Sequence, residues 1–144
     1  MDKKYWDDIY RSKSEIEVSW HQEIPTKSLE LISDLNLEPS DSIIDIGGGD
    51  SRLVDHLLAK GYKNISILDI SSEALEKAKT RLAENLKFVK FIASDITKFV
   101  PSEKYKLWHD RATFHFLTSA EDVAAYLDIA NRGIAPDGDR EWLE

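Results

Sequence analysis

Four short apolar runs in this chain each end on residues that can do chemistry, and the first of them ends on a glycine turn. That run is Ile43-Ile44-Asp45-Ile46, followed at once by Gly47-Gly48-Gly49. Glycines let a backbone turn close tightly around a ligand, and the helix that follows presents its N-terminal N–H groups to the same spot. Asp69 ends the second run, 22 residues after Gly47. An acid placed there can accept two hydrogen bonds from a ribose diol, or it can cap the next helix. Asp95 ends the third run, and His109-Asp110 end the fourth. Asp45 sits inside an apolar run, where an unpaired carboxylate is costly. It therefore either orders the amides of the glycine loop or takes a bond from a cationic ligand group.

These residues need a scaffold that brings strand ends together. A helix is expected to begin near Pro25, with Leu29, Ile32 and Leu35 at helical spacing and a turn at Pro39-Ser40-Asp41. The first strand covers residues 42–46. The helix after the glycines carries Leu53, Val54, Leu57 and Leu58 on one side, and Gly61 stops it. A second strand, 64–70, leads to Ser71 or Ser72 as helix cap, then to Ala74, Leu75, Ala78 and Leu82 as an apolar face. Phe88 to Ile92 and Lys104 to Asp110 read as the third and fourth strands. A last helix runs from Ser119 to Arg132, with Ser119 and Asp122 at capping-box spacing and Gly133 as its stop. Strands alternating with helices imply parallel pairing through right-handed crossovers, and apolar strands suit a sheet covered on both faces. The expected fold is therefore α/β: a Rossmann-like, doubly wound, mostly parallel sheet with helices on both faces, in one domain over 1–144. Residues 1–23, which include Tyr5, Trp6, Tyr10 and Trp20, form an N-terminal arm. It either packs by its aromatics or closes as a lid over the glycine loop.

The 144 residues carry a net charge of −8 and no cysteine. An acidic surface disfavours nucleic acid and anionic membranes as partners. The lack of cysteine excludes disulfides and thiolate metal sites. No metal-ligand spacing, no Ser–His–Asp array and no Walker sequence is visible. No apolar run reaches the ~20 residues of a membrane span, and the start lacks the apolar core of a signal peptide. A soluble, cytoplasmic protein without a metal is expected. A dinucleotide fingerprint needs a glycine where Arg52 stands, so a pyrophosphate ligand, and with it a nicotinamide-dependent oxidoreductase, is disfavoured.

Through Asp45-Ile46-Gly47-Gly48-Gly49, then Asp69, then Asp95-Ile96, the chain resembles the class I S-adenosylmethionine-dependent methyltransferases over nearly its whole length. The stretch from Tyr105 to Leu117 is similar to the fourth-strand region of a small-methyltransferase subgroup. The resemblance implies S-adenosylmethionine as cofactor and S-adenosylhomocysteine as product. It implies a small molecule or a protein side chain as acceptor. By this likeness Gly47 and Gly49 line the methionine portion, and Asp45 and Gly48 belong to the cofactor site. Asp69 holds the ribose hydroxyls, Ile70 flanks the adenine, and Asp95 with Ile96 meets the adenine edge. His109 belongs to the same site. The family's usual third glycine is Ser51 here.

Methyl transfer is an in-line displacement that needs a base only when the acceptor must lose a proton. His109, Asp110 and His115 are the candidates, with His21 beside Trp20 as a further one; residues of these types in such places more often have a structural role. The resemblance also implies a seven-stranded sheet whose fifth strand follows a turn like Ala135-Pro136-Asp137-Gly138. Asp139 to Glu144 is a poor strand by composition. The expectation is a C-terminally shortened sheet with the edge of the fourth strand exposed, and a homodimer to cover it. A chain so shortened either catalyses or only binds the cofactor.

Overall fold

Successive residues of β1 (Ile43–Ile46) bury on opposite faces of a sheet, and each face meets its own layer. The computed structural model describes residues 3, 4, 7, 25–49, 51–111 and 113–142. The arm's Tyr5, Trp6, Tyr10, Trp20 and His21 lie outside the described residues. The described helices are α1 (Thr26–Asp34), α2 (Leu53–Ala59), α3 (Ser72–Leu82) and α4 (Ala120–Gly133). The remaining strands are β2 (Ile65–Asp69), β3 (Val89–Ala93), β4 (Tyr105–Asp110) and β5 (Ile134–Trp142).

Ile43, Ile65, Ile67, Val89 and Leu107 face α1, α2 and α3 through Ile32, Leu53, Val54, Leu57, Leu75 and Leu82. On the other face Ile44, Ile46, Leu68 and Trp108 pack on Tyr126, Ile129 and Ala130 of α4. The helices begin where local chemistry allows. The hydroxyl of Ser71 accepts the Ala74 N–H at 3.2 Å to cap α3, and that of Ser119 accepts the Asp122 N–H at 3.0 Å to cap α4. Gly61, at φ +96°, takes the left-handed conformation that ends α2.

All pairings are parallel, in the order β3-β2-β1-β4-β5. The chain builds outward from β1 to one side, then crosses to β4 on the other. That reversal between β1 and β4 is the switch point of a doubly wound sheet, which is the fold expected from the sequence.

The described sheet is shortened as expected, with five strands rather than seven, but the expectation of an exposed edge on β4 fails. Leu107, Trp108, His109 and Asp110 pair with Asp139, Arg140, Glu141 and Trp142, so a fifth strand is present and the outer edge of β4 is covered. The premise of the expected dimer goes with it. Ala135-Pro136-Asp137-Gly138 is a bulge inside β5, since Tyr105 pairs with Ile134 but Leu107 with Asp139. Lys106 holds that bulge, its Nζ donating to the Asp137 carbonyl at 2.9 Å and to Oδ2 at 2.8 Å. A proline is tolerated there because a bulge frees its position from the ladder. The composition of 139–142 misled because strand pairing is a backbone interaction. An edge strand is paired on one side, and charges on it are common.

Leu53 is fully buried where α2 meets the sheet. Replacing it with alanine is expected to lower the unfolding free energy by about 2–5 kcal/mol, measured by urea denaturation. A loss under about 0.5 kcal/mol would show that α2 is not docked as described.

Candidate functional site

The glycine loop lies at the carboxyl end of β1, beside the switch point, and it fits there only because it lacks side chains. Gly47 has φ +72° and donates its N–H to the Leu68 carbonyl at 2.6 Å. A Cβ on Gly47 would stand 1.9 Å from the Thr113 hydroxyl, and one on Gly48 would stand 2.3 Å from Asp45 Oδ2. The Gly49 N–H donates to Asp69 Oδ2 at 3.0 Å. The loop is thus fitted against the ends of β1 and β2 and the turn after β4. Ser51, at the place of the third family glycine, accepts the Leu53 N–H at 3.0 Å and so helps to start α2.

Asp69 is 5% exposed and bound on both oxygens, Oδ1 taking the Ser71 N–H at 2.9 Å. Ser71, not Asp69, caps α3. The carboxylate of Asp69 thereby joins the glycine loop to the start of α3. Ser71 also donates its hydroxyl to Oδ1 of Asp7 at 2.5 Å, and Lys3 pairs with the same acid. Burial raises the Asp7 carboxyl, but the bonds from Lys3, Ser71 and the Glu73 amide bring it below the usual carboxylate range. This part of the N-terminal arm is therefore anchored beside the second strand's acid.

Beneath the loop, three side chains from distant parts of the chain meet. His109 Nδ1 lies 2.9 Å from Asp45 Oδ1, and its Nε2 lies 2.8 Å from Ser28 Oγ on α1. Burial lowers the His109 pKa, but the bond to Asp45 and its charge raise it above the ordinary value. The sequence shows no Ser–His–Asp array, yet the fold assembles that connectivity. It is not a nucleophile's triad: Ser28 is 0% exposed, and His109 and Asp45 are each 2% exposed. Asp45 Oδ2 is buried and has no hydrogen-bond partner among the described residues.

Asp110 turns to the opposite face. Its Oδ1 accepts the Thr113 N–H at 2.7 Å, and its Oδ2 accepts the Phe114 N–H at 3.0 Å and the Tyr126 hydroxyl at 2.5 Å. Trp108 donates its indole N–H to that tyrosine at 3.1 Å. Burial pushes Asp110 up to about 6 against the pull of these donors and of His109. Burial and the Asp110 charge likewise raise Tyr126, so its hydroxyl keeps its proton.

The sequence candidates thus separate. Asp45, the three glycines and Asp69 come together at one place. Asp95 stands at the end of β3, where it accepts the Thr97 N–H at 2.9 Å, with Ile96 1% exposed. Ile70 follows Asp69 and is 7% exposed. His109 and Asp110, expected as candidates for a general base, are both buried, with their polar atoms engaged by the partners just named. His115 lies in the 3₁₀ turn Thr113–Phe116, and its side chain is outside what the structure describes. Sequence reasoning missed Ser28, Thr113 and Asp7. A serine on an amphipathic helix carries no signal of what its buried hydroxyl will meet.

A family described as a methyltransferase domain matches residues 43–138, and the chain belongs to that family. Among curated relatives, the eEF1A lysine and N-terminal methyltransferase of Danio rerio is 27% identical over 135 residues, which is 93% of this chain and 19% of that protein. Its homolog in Drosophila melanogaster is 26% identical over 130 residues, 88% of this chain and 19% of the relative. The chain therefore spans about a fifth of the length of these relatives. Among solved structures, the DhpI-SAM-HEP complex superposes with a TM-score of 0.74 at 15% identity, covering 96% of this chain and 62% of that one. The glycopeptide N-methyltransferase MtfA gives 0.69 at 16% identity, covering 80% and 50%. At these identities the likeness is one of fold.

The raised pKa of Asp110 has a definite sign. Its protonated form is favoured by folding, a contribution complete below pH 4 and lost as the pH rises through 6. The stability of the native chain relative to Asp110→Asn should therefore fall between pH 4 and 6 in denaturant titrations. Parallel curves across that range would refute the assignment.

Proposed function

We propose that this domain binds S-adenosylmethionine at the glycine loop and transfers its methyl group to an amine nitrogen of a protein. The observation that carries the reading is the junction of the Gly49 amide with Asp69 at the switch point, which sets a ribose-binding acid against a turn open to close backbone approach. The residues fit the cofactor. A glycine cradle has no space for side chains, the carboxylate at the end of β2 bonds the Gly49 amide of that cradle, and among the described residues a buried carboxylate oxygen beneath the loop lacks a partner. When bound, the cofactor supplies an electrophilic methyl: the acceptor lone pair forms the new bond, the carbon–sulfur bond breaks, and sulfur keeps the electron pair.

The chain's residues then have separate tasks. Asp69 holds the ribose hydroxyls, while Ile70 and Asp95 with Ile96 bound the adenine. Asp45 sets a negative charge beneath the loop for the ammonium of the methionine portion. Thr113, fixed by Asp110, packs on Gly47 and keeps the loop closed. An ammonium acceptor must lose a proton before it attacks, and His115, just after β4, is the candidate proposed to take it, with His21 of the arm as the alternative. The acceptor class rests on the names of the relatives, which act on a lysine and an N-terminus, and on the chain's net charge of −8, which suits a cationic partner.

Titration calorimetry should show binding of S-adenosylmethionine and S-adenosylhomocysteine, with Asp69→Ala weakening both about tenfold to a hundredfold. Unchanged affinity would sink the ribose assignment. Radiolabelled methyl should pass to peptides with free lysine or α-amines and not to their acetylated forms. Equal labelling of both would refute the amine acceptor.

A further inference from the structure

We propose that His109 and Ser28 are positioning residues for the ammonium end of the bound cofactor, acting through Asp45. The inference rests on the reading of Asp45 given above and adds what controls it. A carboxylate under a loop can present either oxygen, and rotation would exchange them. Here Oδ1 is committed to His109 Nδ1 at 2.9 Å, and Oδ2, below Gly48, has no partner among the described residues. Nδ1 faces a carboxylate, so it carries a proton whether the ring is neutral or charged. The ring cannot turn away, because Nε2 is held 2.8 Å from Ser28 Oγ. A neutral ring accepts there from the Ser28 hydroxyl, and a charged ring donates to it.

The three groups come from α1, β1 and β4, and all are buried. The arrangement therefore links the helix before the sheet to the floor of the glycine loop. Two other acids bear on the ring electrostatically. Asp110 is occupied on the opposite face, and Glu141 of β5 lies opposite His109 in the strand register. Neither replaces the Asp45 bond, so among the described residues it is the imidazole that sets the aim of Oδ2.

The experiment compares two ligands across four variants. S-adenosylhomocysteine carries the ammonium; 5′-methylthioadenosine has the same nucleoside without it. Asparagine at 109 places its amide N–H where Nδ1 was, and glutamine reaches only the place of Nε2. His109→Asn should keep S-adenosylhomocysteine affinity within about threefold. His109→Gln should lose about tenfold or more, the scale of a charge-assisted hydrogen bond. Ser28→Ala should fall between them, and 5′-methylthioadenosine should bind all three as it binds the native chain. A purely structural role predicts otherwise: glutamine, closer in volume, would be better tolerated than asparagine, and both ligands would weaken together. Either outcome overturns the proposal. Asp45→Asn separates the two layers. If it weakens both ligands equally, the reading of Asp45 fails; if it selects between them and His109→Gln does not, only the positioning role fails. Should a variant not fold, NMR of the native chain decides. The His109 Nδ1–H resonance should move on adding S-adenosylhomocysteine and stay with 5′-methylthioadenosine; no difference between the ligands overturns the proposal.

Discussion

A carboxylate buried under a glycine turn is the constraint from which much of this molecule follows. Asp45 is 2% exposed in the middle of a sheet, where an unpaired charge is destabilising. The imidazole of His109 compensates it, and that ring must come from the strand hydrogen-bonded beside β1. Ser28 on α1 completes the chain of bonds, so the helix preceding the sheet is held by chemistry as well as by its apolar contacts. The glycines above have no choice of residue, since any side chain at Gly48 would strike that same carboxylate.

The other face of β4 uses a second polar group differently. Asp110 collects the amides of the following turn and the Tyr126 hydroxyl, and thereby fixes Thr113 against Gly47. Two neighbouring residues with similar sequence credentials thus work on opposite sides of the sheet. One supports the loop from beneath, and the other fastens the turn that closes it. Both are buried and hydrogen-bonded, although both stand where a strand-end base is sought in such folds.

Much of the architecture was legible in the residues. The apolar runs, the caps at Ser71 and Ser119, and the stop at Gly61 each signal local structure through short-range physics. The alternation of strand and helix then leaves few topologies. The meeting of Asp69 with the glycine run was legible too, because a tight turn at a strand end and an acid at the next strand end each leave a local mark. The fifth strand was not legible. Its pairing depends on backbone groups offered by β4, and Asp139 to Glu141 carry no apolar pattern to announce it.

The sequence by itself determined the parallel α/β sheet, the place of the glycine turn and the acid that faces it. These follow from periodicity, conformational freedom and charge, which act over a few residues. Only the tertiary structure decided that Ser28, Asp45 and His109 form one hydrogen-bonded chain, that Asp7 is bonded to Ser71 beside Asp69, and that β5 covers β4. Those contacts join residues far apart in the chain. Their partners are chosen by sheet order and helix placement, which no local pattern records.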